Sequence, residues 1–284
     1  MNPPLWKVSV VLTKVEAADA RALLELTPPH PQAVLTAEEP FKDECTVEAL
    51  YDAMPDGELL SRLAGKTVHV QLLSDTDWIK LSQEGLPPVR AGRFFVYGAH
   101  DKGRVPPGVI PIRIEAGMAF GTGHHETTAL CLAALSDLAK RRACRNVLDL
   151  GCGTGLLAIG AAKLWKRPVT ASDIDSVAVA ITRENATANG TGPLVRTWMA
   201  DGPTHPAIFR TAPFDLILAN ILAGPLTRLA PAIARVLGAG GTLVLSGLLT
   251  WQENLVLGFY RPHGIVRRRT LRDGSWSALI LQKF

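Results

Sequence analysis

The stretch Asp149-Leu150-Gly151-Cys152-Gly153-Thr154-Gly155 decides the predicted fold class. Its first two residues end a short run, 146–150, that is typical of a buried strand, and its last residue precedes a helical pattern at 156–164. A glycine turn between a strand and a helix lets the backbone approach a ligand closely, with the helix N-terminus behind it. The glycine spacing is G-x-G-x-G rather than the G-x-G-x-x-G of dinucleotide-binding folds, and the acidic Asp149 stands just before it. The turn therefore suits a ligand with a cationic group, or it is a glycine loop that binds no ligand.

Segments typical of strands and helices alternate from residue 145 onward. Further strands are predicted at 169–172, 195–199, 214–219 and 242–246, and further helices at 177–188 and 226–237. This alternation predicts a doubly wound α/β fold, in which helices cover both faces of a parallel sheet. The last part of the chain does not alternate between strands and helices. Two strand patterns, 264–271 and 276–282, flank the turn Asp273-Gly274 and predict an antiparallel hairpin at the sheet edge.

The first 75 residues show a different order of elements. Strand patterns at 6–12, 33–37, 46–51 and 67–73 and helix patterns at 17–26 and 56–63 give the order β-α-β-β-α-β. This is the order of a small ferredoxin-like α+β domain. The sequence therefore predicts a ferredoxin-like domain at 1–75, a linker at 76–88 with a short helix at 78–83, and the α/β domain at 89–284. Within the last domain, 93–97 and 109–114 are two more predicted strands.

Two polar residues, Asp173 and Asn220, follow predicted strands of the parallel sheet. Such sheets bind ligands at the carboxyl ends of their strands, so both side chains are expected in the same crevice as Gly151. Asp173 lies 22 residues after Gly151 in the sequence. At that spacing an acidic side chain accepts hydrogen bonds from the hydroxyls of an adenosine ribose. Asp175 is the better candidate for capping the next helix. Asn220 either caps the helix that follows it or accepts a hydrogen bond from an incoming amine.

The segment GTGHHETT, residues 121–128, precedes another helical pattern. His124-His125-Glu126 contains metal-binding residue types, but adjacent histidines face apart and no i, i+4 histidine pair is present. We therefore predict no metal site. The segment is expected to form a glycine loop over the crevice, with the hydroxyls of Thr127 and Thr128 in the first helical turn.

Composition limits the remaining classes of function. With 284 residues, 47% apolar and 20% charged residues, a net charge of +4 and no apolar run of membrane-spanning length, we expect a globular two-domain protein without a signal peptide. The basic run 267–269 is expected to be a solvated strand face rather than a nucleic-acid patch. The four cysteines form no CxxC pair, which favours a reducing compartment and argues against disulfides or zinc. They are Cys45, Cys131, Cys144 and Cys152.

Four blocks of sequence together resemble the bacterial methyltransferases of ribosomal protein L11. The blocks are 118–130, 149–155, 173–175 and 220–226. The resemblance extends from Trp78 to about Ser246, and the N-terminal domain matches only in the order of its elements. It implies a class I S-adenosyl-L-methionine-dependent domain that methylates lysine ε-amines and the N-terminal α-amine of ribosomal protein L11. It also implies that the ferredoxin-like domain recognises that protein. We expect a cytoplasmic monomer that requires neither a membrane nor direct nucleic-acid binding.

The same resemblance places the cofactor contacts at Thr128, Gly151, Asp173 and Asn220. Many family members have Thr-His-Pro where this chain has His124-His125-Glu126, so these three residues receive no role. The target amine must lose its proton, since lysine titrates at about 10.4 in water, and desolvation in a closed crevice lowers that value. Asn220 and nearby backbone carbonyls are expected to orient the amine, which is the largest effect we assign. No general base is identified.

Other functions remain open at this point. An N-methyltransferase of another protein, of a nucleic-acid base or of a small amine would need the same crevice. The first domain discriminates between them, and its strand patterns offer only Trp6 and Tyr51 for stacking on RNA bases. A protein that senses the cofactor without catalysis is disfavoured by the presence of Asp173 and Asn220. A dehydrogenase is disfavoured by the glycine spacing.

Overall fold

The computed structural model describes the second half of the chain continuously and the first half in pieces. The described residues are 5–13, 16–17, 20, 24, 27, 29, 31, 33–38, 43–51, 53–73, 88–98, 105–114 and 125–284. The chain divides near residue 85 into two compact units. The helix predicted at 78–83, the linker except residue 88, and the glycine loop up to His124 lie outside the described residues. The predicted limits of the domains therefore stay a prediction.

The first unit is built on a four-stranded antiparallel sheet. Its strands are β1 (Leu5–Thr13), β2 (Ala33–Glu38), β3 (Glu44–Tyr51) and β4 (His69–Leu73). They lie in the order β2-β3-β1-β4, and every neighbouring pair is antiparallel. This is the ferredoxin-like arrangement, as predicted. The alternation in β3 is also confirmed, because Val47, Ala49 and Tyr51 are all buried.

The helix of this unit, α1 (Gly57–Ala64), begins and ends where its sequence predicts. The Asp56 carboxylate accepts two backbone N–H groups of the first turn, at 3.1 and 3.0 Å. Gly65 ends the helix with a φ of +67°, a conformation that glycine adopts without strain. In the segment predicted as the other helix, the described residues are helical, and three of them are buried in the core of the unit. Those three are Ala17, Ala20 and Leu24.

The second unit begins with a small three-stranded sheet and continues with a seven-stranded one. The small sheet contains β5 (Val89–Ala91), β6 (Phe94–Tyr97) and β7 (Ile110–Arg113). The strands of the large sheet are β8 (Val147–Leu150), β9 (Val169–Asp173), β10 (Val195–Met199), β11 (Phe214–Asn220), β12 (Leu237–Leu249), β13 (Ile265–Asp273) and β14 (Trp276–Lys283). Their order is β10-β9-β8-β11-β12-β14-β13. Strands β8 to β12 are parallel, and β13 and β14 form the predicted antiparallel hairpin at the edge.

Helices cover this large sheet. They are α2 (His125–Ala139), α3 (Leu156–Trp165), α4 (Ser176–Ala188), α5 (Pro206–Thr211), α6 (Ala223–Val236) and α7 (Glu253–Tyr260). Two separate clusters of buried apolar side chains lie against the sheet. The central strands β8 and β11 are buried on both faces, which explains their continuous apolar sequences. In the described part of the chain, no helix has the length and apolar character needed to cross a membrane.

The strand order reverses between β8 and β11. Open α/β sheets bind ligands outside the carboxyl ends of the strands at such a reversal, because the connections on the two sides diverge there and leave a crevice. The predicted doubly wound fold is thus confirmed. A ligand site in this fold is expected at the residues that follow β8, β9 and β11.

Candidate functional site

The turn after β8 has the geometry that its glycines allow. Gly151, Gly153 and Gly155 all have positive φ, at +69°, +52° and +79°. A Cβ atom at Gly151 would collide with the side chain of Ile221, whereas one at Gly153 would meet no atom within 4 Å. Gly151 therefore permits a close approach between two loops, and Gly153 faces open space in which backbone can contact a ligand.

Asp173 lies at the end of β9 and contacts this turn. Its carboxylate accepts the backbone N–H of Gly153 at 2.9 Å and that of Asp175 at 3.1 Å. Asp175 caps α4 by accepting the N–H of Val177 at 2.8 Å, as predicted. The two backbone partners of Asp173 did not follow from the sequence. Each carboxylate oxygen keeps a further lone pair for a ligand hydroxyl.

Asn220 ends β11 and has one satisfied and one unsatisfied polar group. Its Nδ2 donates a hydrogen bond to Oγ1 of Thr128 at 3.2 Å. Its Oδ1 is buried and has no partner among the described residues. The next helix, α6, begins after Leu222 without a side-chain cap, so Asn220 does not have the capping role that the sequence left open. A buried carbonyl oxygen without a partner is uncommon, and Oδ1 is therefore available to accept a hydrogen bond from a ligand.

Register brings the predicted residues to one edge of the sheet. Leu150 pairs with Ser172 of β9 and with Ala219 of β11, so the residues after these three positions are neighbours. They are Gly151, Asp173 and Asn220. The N–H of Gly151 donates to the carbonyl of Ser172 at 2.8 Å, which ties the turn to β9. Thr128 joins the group through its hydrogen bond to Asn220. All four predicted residues therefore lie together at the carboxyl ends of the parallel strands.

Asp149 is inside the protein rather than at the surface of the turn. Its side chain is 1% exposed, Oδ2 accepts the N–H of Ala158 at 2.9 Å, and Oδ1 has no partner among the described residues. The pKa of Asp149 is raised to about 7, chiefly by burial and to a smaller extent by the negative charge of Asp173. An ionised Asp149 together with Asp173 makes the region beneath the turn negative. A cationic ligand is therefore favoured over an anionic one.

Two residues that the sequence analysis did not identify hold the turn from below. Thr182 of α4 donates to the carbonyl of Gly153 at 2.8 Å, and Asn185 donates to the carbonyl of Thr154 at 2.9 Å. Both side chains are buried. The signal for them was present as two polar residues three positions apart on the inward face of a helix, where apolar residues are usual.

The histidine pair and the cysteines do not add a second reactive centre to the described site. Among the described residues, no group of three His, Cys, Asp or Glu side chains is arranged to hold a metal ion. Glu126 is exposed, and the side chains of His124 and His125 lie outside the described part. The four cysteines are buried free thiols, and burial raises the pKa of Cys131 to about 12, so this thiol is not a nucleophile at neutral pH.

Comparison with known proteins gives a consistent set of relatives. Residues 7–284 match the family model described as Ribosomal protein L11 methyltransferase. A ribosomal protein L11 methyltransferase from Caulobacter sp. (strain K31) is 43% identical over 282 residues, covering 96% of this chain and 97% of that protein. The Bradyrhizobium diazoefficiens protein of the same name is 50% identical over 230 residues, covering 80% and 78%. The crystal structure of ribosomal protein L11 methylase from Lactobacillus delbrueckii subsp. bulgaricus gives a TM-score of 0.62 at 26% identity, covering 70% of this chain and all of that one.

Proposed function

The chain belongs to the ribosomal protein L11 methyltransferase family, and we propose that it methylates lysine ε-amines and the N-terminal α-amine of ribosomal protein L11. It is a methyltransferase that uses S-adenosyl-L-methionine. One observation carries the assignment of an amine as acceptor: at the switch point of the sheet, the buried Oδ1 of Asn220 has no partner in the part of the chain that the structure describes. The direct test is to incubate the protein with labelled S-adenosyl-L-methionine and a ribosome extract. Label in ribosomal protein L11 is expected, and label only in another protein, in RNA or in a small amine would contradict the proposal.

The residues around the crevice fit the cofactor. S-adenosyl-L-methionine supplies a methyl group that its sulfonium charge has already activated. Asp173 has free lone pairs for the two ribose hydroxyls, Gly151 leads into an open backbone turn, and two carboxylates lie where a cation would be stabilised. We propose Thr128, Gly151, Asp173 and Asn220 as the cofactor-binding residues, with no metal.

The contribution of the chain itself is orientation. Thr128 accepts one N–H of the Asn220 amide, which fixes the amide plane and leaves Oδ1 for the incoming amine. Oδ1 accepts an amine N–H and thereby aims the nitrogen lone pair at the methyl group. Desolvation of the amine at this site lowers its pKa and favours the neutral, nucleophilic form. We assign no general base.

The first unit is proposed to recognise the protein substrate. It has its own core around β1 and β3 and contains none of the four proposed cofactor residues. We propose the domain limits 1–75 for this domain, 76–88 for the linker and 89–284 for the methyltransferase domain. We further propose a cytoplasmic monomer that binds no membrane and needs no direct contact with nucleic acid. Light scattering of the purified protein tests the monomer.

Removing the first domain is expected to impair methyl transfer to the ribosomal protein. A truncated chain that starts near Trp78 should bind S-adenosyl-L-methionine normally, because the proposed cofactor residues are all retained. Its kcat/KM for ribosomal protein L11 should fall at least about tenfold, since the local concentration of substrate is lost. Its low activity on free amines should be unchanged. Equal rates for the truncated and full chains would show that the first domain does not recruit the substrate.

Asp173→Ala is expected to weaken cofactor binding by about 1.5–3 kcal/mol, or roughly 10- to 100-fold in Kd. The reason is the loss of hydrogen bonds between the ribose hydroxyls and a carboxylate. Calorimetric titration with S-adenosyl-L-methionine measures the effect. Asp175→Ala is the matched control, because it removes a carboxylate two positions away that caps α4. Unchanged affinity in Asp173→Ala would remove this residue from the cofactor site.

A further inference from the structure

A buried polar network runs from the N-terminal part of α2 across strands β12 and β14 to α7. Its members are at most 3% exposed: Thr127, Ser246, Ser277 and Glu253. None of the four belongs to the proposed cofactor-binding residues. Buried polar groups are costly unless they are hydrogen-bonded, and apolar side chains would fill the same space without that cost. Packing of the sheet alone therefore does not explain the network.

Ser246 stands beside Asn220 in the sheet. The two residues are register partners on the neighbouring parallel strands β12 and β11. Side chains of paired residues stand on the same face of a sheet, and α2 covers that face here. Asn220 donates to the hydroxyl of Thr128, and Ser246 donates to the backbone carbonyl of Thr127. The two strand residues therefore contact successive residues in the first turn of one helix.

The hydroxyl of Ser246 joins α2 to two strands. It lies 2.9 Å from the carbonyl oxygen of Ser277 and 3.4 Å from that of Thr127, and one proton is shared between them. Ser246 also hydrogen-bonds the thiol of Cys131, one helical turn further along α2. Without this hydroxyl the two carbonyls would lose their shared donor, and their dipoles would repel each other. The first turn of α2 would then shift relative to β12.

A buried ion pair supports Ser277 from the other side. The Ser277 hydroxyl donates to Oε1 of Glu253 at 2.6 Å, and Arg272 donates to both oxygens of that carboxylate, at 2.7 and 2.8 Å. Hydrogen bonding with Arg272 holds the pKa of Glu253 below its usual range, so the carboxylate is ionised at neutral pH. Hydrogen bonds to a charged acceptor are strong. They fix Ser277, and with it the carbonyl that receives the Ser246 hydroxyl.

We propose that Ser246 is a positioning residue for methyl transfer, because its hydroxyl holds the first turn of α2 against the sheet where Thr128 meets Asn220. A shift of that turn would change the 3.2 Å distance between Oγ1 of Thr128 and Nδ2 of Asn220. The Asn220 amide would then lose its fixed plane, and its Oδ1 would no longer hold the amine in one orientation. The inference rests on the proposed function, because it requires Asn220 to orient the acceptor amine.

Ser246→Ala in the full chain should lower kcat for ribosomal protein L11 about tenfold, since a small displacement of an orienting group is enough for such a loss. KM for L11 and the Kd of S-adenosyl-L-methionine should each change less than about threefold. Ser136→Ala is the matched control. Ser136 is also buried on α2, and its hydroxyl accepts the N–H of Arg93 at 3.0 Å. It lies roughly 12 Å along the helix from Thr128, so its loss should leave kcat unchanged.

The double variant Asn220→Ala/Ser246→Ala separates positioning from a general loss of stability. A residue that acts only through Asn220 has nothing left to position once that amide is gone. The kcat of the double variant should therefore lie within about twofold of that of Asn220→Ala alone, whereas independent effects would multiply. Circular dichroism melting checks that each variant is folded. If Ser246→Ala does not fold, Ser246→Cys takes its place, because a thiol of similar size is a weaker donor.

Hydrogen exchange of the Asn220 side-chain amide, measured by NMR, reports positioning without methyl transfer. Its signals are identified by their loss in Asn220→Ala. The amide proton bound to Thr128 should exchange with water faster in Ser246→Ala and at the wild-type rate in Ser136→Ala. If the wild type methylates no L11 while Ser246→Ala speeds this exchange, the proposed function is wrong and the positioning inference stands. If the wild type methylates L11, then a normal kcat or an unchanged exchange rate in Ser246→Ala, or multiplying effects in the double variant, would overturn the inference and leave the function in place.

Discussion

Replacing Asn220 by alanine is expected to lower kcat roughly 100- to 1,000-fold, while the Kd of S-adenosyl-L-methionine rises by a much smaller factor, about tenfold or less. The reason is that the unpartnered Oδ1 would act mainly when the amine is aligned with the methyl group. An interaction made chiefly in the transition state lowers turnover more than it weakens binding of the ground state. Single-turnover rates and calorimetry on the same preparation separate the two quantities.

Two further substitutions make this test specific. Asn254→Ala is the matched control, because Asn254 is exposed on α7, and it should leave kcat unchanged. Thr128→Val removes the oxygen that accepts the Asn220 N–H at 3.2 Å, and so it frees the amide to rotate. Its kcat should lie between those of the wild type and Asn220→Ala. If Asn220→Ala turns over normally and only its cofactor affinity drops, Asn220 serves the cofactor alone and another group aims the amine.

The parts of this site that the sequence predicts are those that depend on local pattern. The glycine turn needs only a strand, a helix and positive φ at its glycines, and all three are visible in residues 146–164. The shared edge of Gly151, Asp173 and Asn220 then follows, because parallel strands end on the same side of a sheet. The caps of α1 and α4 were predictable for the same reason, since Asp56 and Asp175 act within two or three residues of themselves.

The contacts that do not follow from the sequence join distant parts of the chain. Asn220 and Thr128 are 92 residues apart, and nothing in either segment indicates that they share a hydrogen bond. The hydrogen bond from Gly153 to Asp173 spans 20 residues and requires the exact path of the turn. Both contacts are set by the packing of separate elements against the sheet, and local periodicity contains no information on that packing.

Some elements were also missed for physical reasons. Strand β12 begins at Leu237, not at residue 242, although Gly238, Gly240 and Gly241 disfavour strand conformation. The strand pairs with β11 at Leu237 and again from Thr242 onward, where β14 pairs with it on the other side, so pairing on both sides of the glycines holds the segment. Helix α7 has exposed Leu255 and Phe259 beside buried Val256 and Leu257, so its sequence shows no clear apolar face. Helix α5 and strand β5 are too short to give a periodic signal.

The stability of the ligand-free protein is expected to depend on Asp149 as pH rises. Burial raises the pKa of this carboxyl to about 7 in the folded state, whereas an unfolded aspartate titrates at about 3.9. The folded state therefore binds the proton more tightly than the unfolded state does. Below about pH 4 both states are protonated and the full stabilisation is present. As pH rises toward 7, the folded protein must ionise a buried carboxyl, and stability is lost on the order of 3 kcal/mol between pH 4.5 and 7.5.

The groups around Asp149 support this direction. Asp173 adds a negative charge, while the thiols of Cys131 and Cys152 are neutral, since burial raises the pKa of each. The N–H of Ala158 is the one described donor to the carboxylate, and it lowers the pKa less than burial raises it. Asp149→Asn keeps the shape of the side chain and cannot ionise. As pH rises, the unfolding free energy of the wild type should therefore fall relative to that of Asp149→Asn.

Urea unfolding at pH 4.5 and 7.5 measures that difference, and Asp273→Asn, at an exposed position of the hairpin, is the control for a surface carboxylate.

Cofactor binding should depend on pH in the opposite direction to stability. A sulfonium cation near the turn stabilises ionised Asp149, so cofactor binding should release a proton and should strengthen as pH rises from 5 to 7. Calorimetry in buffers of different ionisation enthalpy counts that proton. If the wild type and Asp149→Asn lose stability in parallel and release the same number of protons, Asp149 is already ionised before the cofactor binds.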